Sequence, residues 1–518
     1  MNETGRSKRE PSLAFTWRDA LWLAGLLAAQ AALLVHFGRQ RFEFFDMSAF
    51  LDAGYRVACG QQLYRDFYYI AGPVHPYMHA FFFTLFGFTQ TAVLVHLCTV
   101  SLLVTACGYV LARLYLRPAL AVLLAALTAL AFNGAVCHPW YDQNAAFWLI
   151  VAVTLWECVR AFGLTRFLPA AAWGCGVLTA MSFLTKTNTG AAGGLMFLAL
   201  LLASPQRWRN LALFAFGNLA CLGLWALVVS PRAFVEETLL AYAPGGRLLN
   251  FARLGDAIFQ TPSGAVIVLA VGLAILGGWR YCAKNLAHFV LLGGMTFTAV
   301  FTAWTGSMIT RANISWTGLQ CIWLFVLAHE LPWNELGLAS VRLRRSATLG
   351  LSAVSCWWLY GAFGQMRELT TWTWNASVVK SDYALRTPAF AGWRCDGAVG
   401  EGLDRCAAFV AARIPREQSL LVFPDCTLLY GLTGHDSYRG APFIFQRGQI
   451  LTGALYDNFR ARFLTSPPDW IVLHQFDLRW DLSAGPILEW LRLDDYLRKE
   501  YRVVWTFGGF SVLRREVE

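Results

Sequence analysis

The sequence predicts a mostly α-helical, polytopic membrane protein carrying a small C-terminal α/β domain, and three observations predict it. The 518-residue chain is 57% hydrophobic, only 14% charged and holds 22 tryptophans, a balance too apolar for a soluble protein of this size. Apolar runs long enough to cross a bilayer, which takes roughly 17 to 25 residues per helix, recur from Ala20 to about Phe363. From about Gln365 the composition shifts to that of an ordinary soluble domain. The expected division is a transmembrane domain over residues 1–364 and a soluble extracytoplasmic domain over 365–518.

The expected spans are 19–37, 90–112, 118–133, 144–160, 167–185, 189–204, 210–230, 263–280, 287–304, 315–331 and 346–364, about eleven helices. The first follows Arg6, Lys8 and Arg9 without a clear small-residue cleavage site and reads as a signal anchor. With a cytoplasmic N-terminus, the inside loops carry Arg113 and Arg117, Arg160 and Arg166, Arg207 and Arg209, Arg280 and Lys284, then Arg342, Arg344 and Arg345. Each is basic, as the positive-inside rule asks. The net charge of +10 therefore reads as membrane orientation and not as nucleic-acid binding. An odd number of spans puts the C-terminal domain outside, together with the loop over 38–89.

The outer loops are long or polar-aromatic: 38–89, 134–143, 185–188, 231–262 and 305–314. In the first, His75 to Phe86 is apolar but too short to span and reads as an interfacial helix. In the fourth, Phe234, Val235, Leu239 and Tyr242 stand near helical spacing, which predicts a second interfacial helix over 231–242.

In the C-terminal domain, Leu420 to Phe423, Trp470 to Leu473, Arg502 to Trp505 and Phe510 to Leu513 read as strands, and Leu403 to Arg413 and Ile487 to Tyr501 as helices. The Val422-Phe423-Pro424-Asp425 strand end lies where α/β sheets bind ligands. No glycine-rich phosphate loop follows it, so scaffolding or acceptor docking is the expected role. Most of the 13 cysteines lie in or near apolar spans and read as small buried residues. Cys395 and Cys406 stand outside the membrane, where a disulfide is an open alternative. No CxxC or HExxH pattern marks a zinc site.

The outer ends of distant helices supply an unusual polar set: Asp46, Asp52 and Asp66; His138, Tyr141, Asp142 and Asn144; Lys186 and Asn188; Arg311 and Asn313. Ionisable groups at membrane depth are costly, so they are usually paired or functional. Each also has a plainer reading: Lys186 can snorkel to the interface, Arg311 can be a surface loop residue, and Asp142 can cap the next helix. Together, carboxylates and cations at an outer interface suit transfer of a sugar off a lipid phosphate. A carboxylate takes the acceptor proton, and cations stabilise the departing phosphate. Glycoside hydrolysis differs, using two opposed carboxyl groups.

These residues carry a family resemblance. FFDMSAFLDAG after the first helix, the GQQLYRDFYYIAGPVHPYMHAFFFTLFG block, WYDQN, the LTKTNTG turn, and LLVFPD, PPDWIVL and FSVLRR in the tail resemble the GT-C superfamily of membrane glycosyltransferases. The likeness is to bacterial aminoarabinose transferases and protein mannosyltransferases in particular. It implies a GT-C-like fold and an inverting transferase using a polyprenyl-phosphate sugar donor, with membrane lipid at the site and a glycan, lipid or protein acceptor. It also implies Asp46 as catalytic base and Lys186 near the donor phosphate. Arg311 is expected to join Lys186 on that phosphate. Asp66, His75, His138, Tyr141, Asp142 and Asn188 would shape the substrate pocket. The family's paired first-loop acids are absent, since Asp46 and Asp52 are well separated. This leaves a divalent cation (Mg or Mn) open and Asp66 a competitor for the catalytic role. The alternatives are a transporter or flippase, whose charges belong near the midplane, and a noncatalytic assembly subunit.

Overall fold

The computed structural model describes residues 15–40, 42, 44, 46–134, 137–240, 251–259, 261–306, 315–333, 335, 341–367, 370–372, 378–441, 454–474 and 484–516. Its membrane part contains α1 (Trp17–Phe37), α4 (Gln90–Tyr115), α5 (Pro118–Asn133), α6 (Tyr141–Ala161), α7 (Leu168–Thr185), α8 (Thr187–Leu202), α9 (Arg207–Ala226), α12 (Pro262–Lys284) and α13 (Leu286–Thr305). Thr317–Glu330 and Val341–Arg367 complete the set. A helix thus stands at each of the eleven expected spans. By length and composition six are individually suited to crossing a bilayer, and α5 and α8 are shorter apolar helices.

Local signals explain the ends. Thr16 and Asp19 form a capping box that starts α1, Thr89 caps α4, and Pro118 and Pro262 open α5 and α12, where a missing N–H costs nothing. Helices α7 and α9 pack backbone to backbone. A Cβ on Gly176 would fall 2.2 Å from the Phe214 carbonyl oxygen, and one on Gly217 would fall 2.2 Å from that of Trp173, so only small residues allow this approach.

Between α1 and α4 the outer loop folds into α2 (Asp46–Ala58) and α3 (Val74–Phe86). The latter is the interfacial helix expected from residue 75 onward. After α9 the chain turns by 106° into Pro231–Leu240, with Ser230 capping and Pro231 at its first turn. This segment, α10, is the second expected interfacial helix. The short amphipathic α11 (Phe251–Phe259) precedes α12.

The C-terminal region begins with two short antiparallel ladders, β1 (Thr370–Trp372) with β2 (Val378–Lys380) and β3 (Tyr383–Ala384) with β4 (Arg394–Cys395). A four-stranded sheet follows, ordered β5 (Leu420–Phe423), β6 (Trp470–His474), β8 (Phe510–Arg515), β7 (Tyr501–Phe507). Strands β5 and β6 are parallel, and the other pairs antiparallel. The four expected strands are present. The helix expected over 487–501 is divided into Ala484–Leu491 and Asp494–Glu500, because Arg492 between them takes a positive φ of 54°, which ends a helix. Cys395 and Cys406 are buried thiols, not a disulfide.

The first outer loop and the C-terminal domain share one apolar core, in which Phe42, Phe50, Phe67 and Tyr69 join Phe390, Trp393, Leu403 and Val422. Polar bonds stitch the same seam. The Trp393 indole N–H donates to the Gly38 carbonyl at 2.6 Å, Phe42 N–H to Arg394 O at 2.9 Å, and Leu428 N–H to Ser48 Oγ at 2.9 Å. A separate core holds the membrane bundle.

Candidate active site

The LTKTNTG turn builds the centre of the site. Helix α7 stops at Lys186, whose extended backbone (φ −150°) separates it from α8, so the lysine emerges where two helices meet. Its ammonium pairs with the Asp142 carboxylate in the first turn of α6 and lies 4.7 Å from the centre of the Tyr141 ring, a cation–π contact. The side chains are 12% and 14% exposed, so the pair is reachable. The first loop touches this turn at Gly72, whose N–H donates to Thr185 O at 3.2 Å. A Cβ there would fall 1.9 Å from the Leu184 carbonyl oxygen, which accounts for glycine in IAGPVH.

A second cation arrives from α11. Arg253 Nη2 donates to the carbonyl of Gly306, just past α13, and a Cβ built on Gly306 would stand 3.5 Å from Lys186 Nζ. Arg253 and Lys186 therefore flank one residue. Asn188 braces the spot by donating to Thr305 Oγ1 at 2.6 Å. An apolar groove of about 440 Å³ runs along α11, α12 and α13, lined by Ile258, Val266, Ala270, Phe289 and Val300 among others. Sequence reading placed Arg253 only within a long outer loop. The amphipathic FARLGDAIF pattern was the available signal.

The three first-loop aspartates have different settings. Asp52 accepts from Arg56 Nε at 2.7 Å and from Ser437 Oγ at 2.6 Å, and Arg56 continues to the Tyr438 carbonyl at 2.9 Å. Burial raises the Asp52 pKa against the pull of Arg56. Asp66 pairs with Arg65 at 2.9 Å and Arg439 at 3.4 Å, and the Arg65 hydrogen bond leads in holding its pKa down. Both aspartates thus tie the loop to the C-terminal domain. Asp46 opens α2 one turn before Phe50, on the same helix face. The Phe50 ring lies 4.9 Å from Trp140 and 5.0 Å from Tyr141, which directs this face of α2 toward the Lys186 side.

Behind that face lies a wall of buried neutral groups. Tyr69 Oη and His75 Nδ1 are 2.8 Å apart, and the Nε2 atoms of His75 and His79 are 3.2 Å apart. Burial, reinforced for His75 by its neighbour, keeps His75 well below the usual histidine range, and burial lowers His79 to about 3. Burial and the nearby Asp46 carboxylate raise the Tyr69 phenol. His75 therefore braces Tyr69 from behind. His138 is half-buried, 5.3 Å ring to ring from Trp140.

From α10, Glu237 meets the first loop. Tyr68 Oη donates to its backbone carbonyl at 3.1 Å, and Tyr69 N–H donates to its carboxylate. Burial pushes its pKa up to about 8, with Glu236 adding in the same direction. Sequence reading marked this segment as an interfacial helix and passed over its glutamates. Arg311, expected near the phosphate, and Asn313 lie outside the described residues.

Residues 71–234, roughly a third of the chain, match the family model described as dolichyl-phosphate-mannose-protein mannosyltransferase. The crystal structure of ArnT from Cupriavidus metallidurans bound to undecaprenyl phosphate superposes with a TM-score of 0.53 at 17% identity, covering 95% of this chain and 97% of that one. The Archaeoglobus fulgidus oligosaccharyltransferase complexed with Zn and sulfate gives 0.50 at 12% identity, covering 86% and 67%. A probable peptidoglycan glycosyltransferase FtsW of Helicobacter pylori is 22% identical over 176 residues, 32% of this chain. The match spans only 42% of that relative's length. The chain is a multi-pass membrane protein with the GT-C fold, similar to the aminoarabinose transferases and protein mannosyltransferases of that glycosyltransferase superfamily.

Proposed function

We propose that this chain is an inverting glycosyltransferase that moves a sugar from a polyprenyl-phosphate donor to an acceptor at the outer face of a bacterial cytoplasmic membrane. The observation that carries this reading is the convergence of Lys186 and Arg253 on Gly306, and α11 and α13, which supply Arg253 and lead to Gly306, also line an apolar groove that suits a prenyl chain. The likeness to a structure solved with undecaprenyl phosphate supports the same donor class. In this scheme the donor phosphate displaces Asp142 from Lys186, and Tyr141 lines the sugar side. Asp46 takes the acceptor proton as the acceptor oxygen attacks the anomeric carbon. The bond from that carbon to the phosphate oxygen breaks, and the phosphate leaves toward the two cations without needing a proton.

A transporter reading fits less well. In the described spanning helices Asp, Glu, Lys and Arg sit near helix ends, whereas transport sites gather charge near the midplane. The test is Asp46→Asn in purified protein given a polyprenyl-phosphate sugar. Transfer should fall by about 10²- to 10⁴-fold with thermal stability unchanged. Full transfer by this variant would remove Asp46 from the role. Mass spectrometry of lipid-linked glycans in cells with and without the protein should then identify the sugar.

A further inference from the structure

At the C-terminal edge of the parallel β5–β6 pair, Asp425, Cys426 and His474 bring a carboxylate oxygen, a thiol sulfur and an imidazole nitrogen within 4.8 Å of one another. Among the described residues this is the one such group of three metal-ligating side chains. All three are at most 3% exposed. From this geometry we infer a zinc-binding site that pins the β5–β6 edge against α2, separate from the transfer site.

The ring nitrogens decide between a metal site and a nucleophile relay. In a Cys–His–Asp relay the thiol and carboxylate occupy opposite nitrogens of the imidazole. Here both face Nδ1: Asp425 Oδ1 at 2.6 Å and Cys426 Sγ at 3.6 Å. Three donors aimed at one point are a ligand set. Tetrahedral zinc, with bonds of about 2.3 Å to sulfur and about 2.0 Å to nitrogen or oxygen, sets ligand separations of about 3.3 to 3.5 Å. The sulfur–nitrogen distance already fits, and the oxygen–nitrogen distance must open by less than about 1 Å.

Two further observations point to a ligand. Asp425 Oδ2 is buried with no N–H or O–H donor among the described residues, and the Cys426 thiol beside Asp425 is only a weak donor, so a buried carboxylate oxygen is left poorly satisfied. Cys426 is one of four non-glycine residues with positive φ among the described residues, at 58°. That backbone strain is what lets two consecutive side chains turn toward the same imidazole.

A thiolate with imidazole and carboxylate selects zinc over magnesium or calcium. On binding, the Cys426 thiol proton passes to solvent and the sulfur becomes a ligand. The Leu428 N–H, two residues on, donates to Ser48 Oγ of α2, and the Ser437 hydroxyl beyond it donates to Asp52. A metal at this edge therefore fixes the surface on which the Asp46 helix rests.

The test is metal analysis of tag-free, full-length protein in detergent. Wild type should hold about one zinc per chain, and Cys426→Ala and His474→Ala should each hold background amounts. Wild type stripped and refilled with cobalt should show a near-ultraviolet thiolate-to-cobalt band that Cys426→Ser lacks. Background zinc in wild type, or cobalt-loaded wild type without this band, would overturn the inference. Because both readouts are made on wild type, they hold even if a variant fails to fold.

Discussion

Two carboxylate–cation pairs of this protein, Asp52–Arg56 and Asp142–Lys186, differ in a way that separates structure from function. Asp52 and Arg56 are both 0% exposed at the side chain, and their further bonds reach Ser437 and Tyr438 of the C-terminal domain as well as Gln61 of the first loop. Asp142 and Lys186 are 14% and 12% exposed, share the surroundings of Gly306 with Arg253, and join residues 44 positions apart in the chain. The first pair is a clasp shut away from solvent by the fold. The second keeps a cation at an accessible surface, where an incoming anion can replace the carboxylate. The lesson is that residue type does not distinguish them, whereas access does.

The largest effect should come from breaking the clasp. Arg56→Ala leaves Asp52 buried without its cation, which costs about 3–5 kcal/mol. Thermal unfolding of the purified protein should show this loss, and transfer per folded molecule should persist. A stability equal to wild type would mean that the pair is not a clasp.

The accessible pair should show the reverse. Lys186→Ala should lower kcat by about 10²- to 10³-fold, the scale of losing one transition-state charge partner, and leave thermal stability near wild type. Lost folding with normal turnover would exchange the roles of the two pairs.

A pH test concerns Glu237, which sharpens the comparison because it is a half-buried acid where α10 meets the first loop. Its pKa is raised to about 8, against about 4.3 in an unfolded chain. The folded state therefore holds the proton across that window, and stability falls as pH rises from about 4 to about 8. Glu237→Gln should remove this dependence, leaving the variant level with wild type in acid and more stable than it above about pH 8. Parallel curves across pH would show that Glu237 does not titrate there.

Helices at the eleven expected positions were legible one by one, because each carries its own apolar run, and six of those described are long and apolar enough to cross a bilayer. Both interfacial helices and the four sheet strands were legible for a similar reason, since each carries its own periodicity. The Asp142–Lys186 pairing was legible only as membership of one outer face. Arg253 and Glu237 were passed over, because a charged residue in a long outer loop gives no local sign of what it will meet.

What the sequence determined by itself was therefore the helical architecture and the gathering of charged residues near helix ends, both of which follow from local hydropathy and charge. It also placed FPD at a strand end, but not beside His474, some fifty residues later. Tertiary structure alone decided which first-loop aspartates are clasps, which cation joins Lys186, and that Asp425, Cys426 and His474 meet. Each depends on contacts between distant segments, and no spacing in the chain encodes such distances.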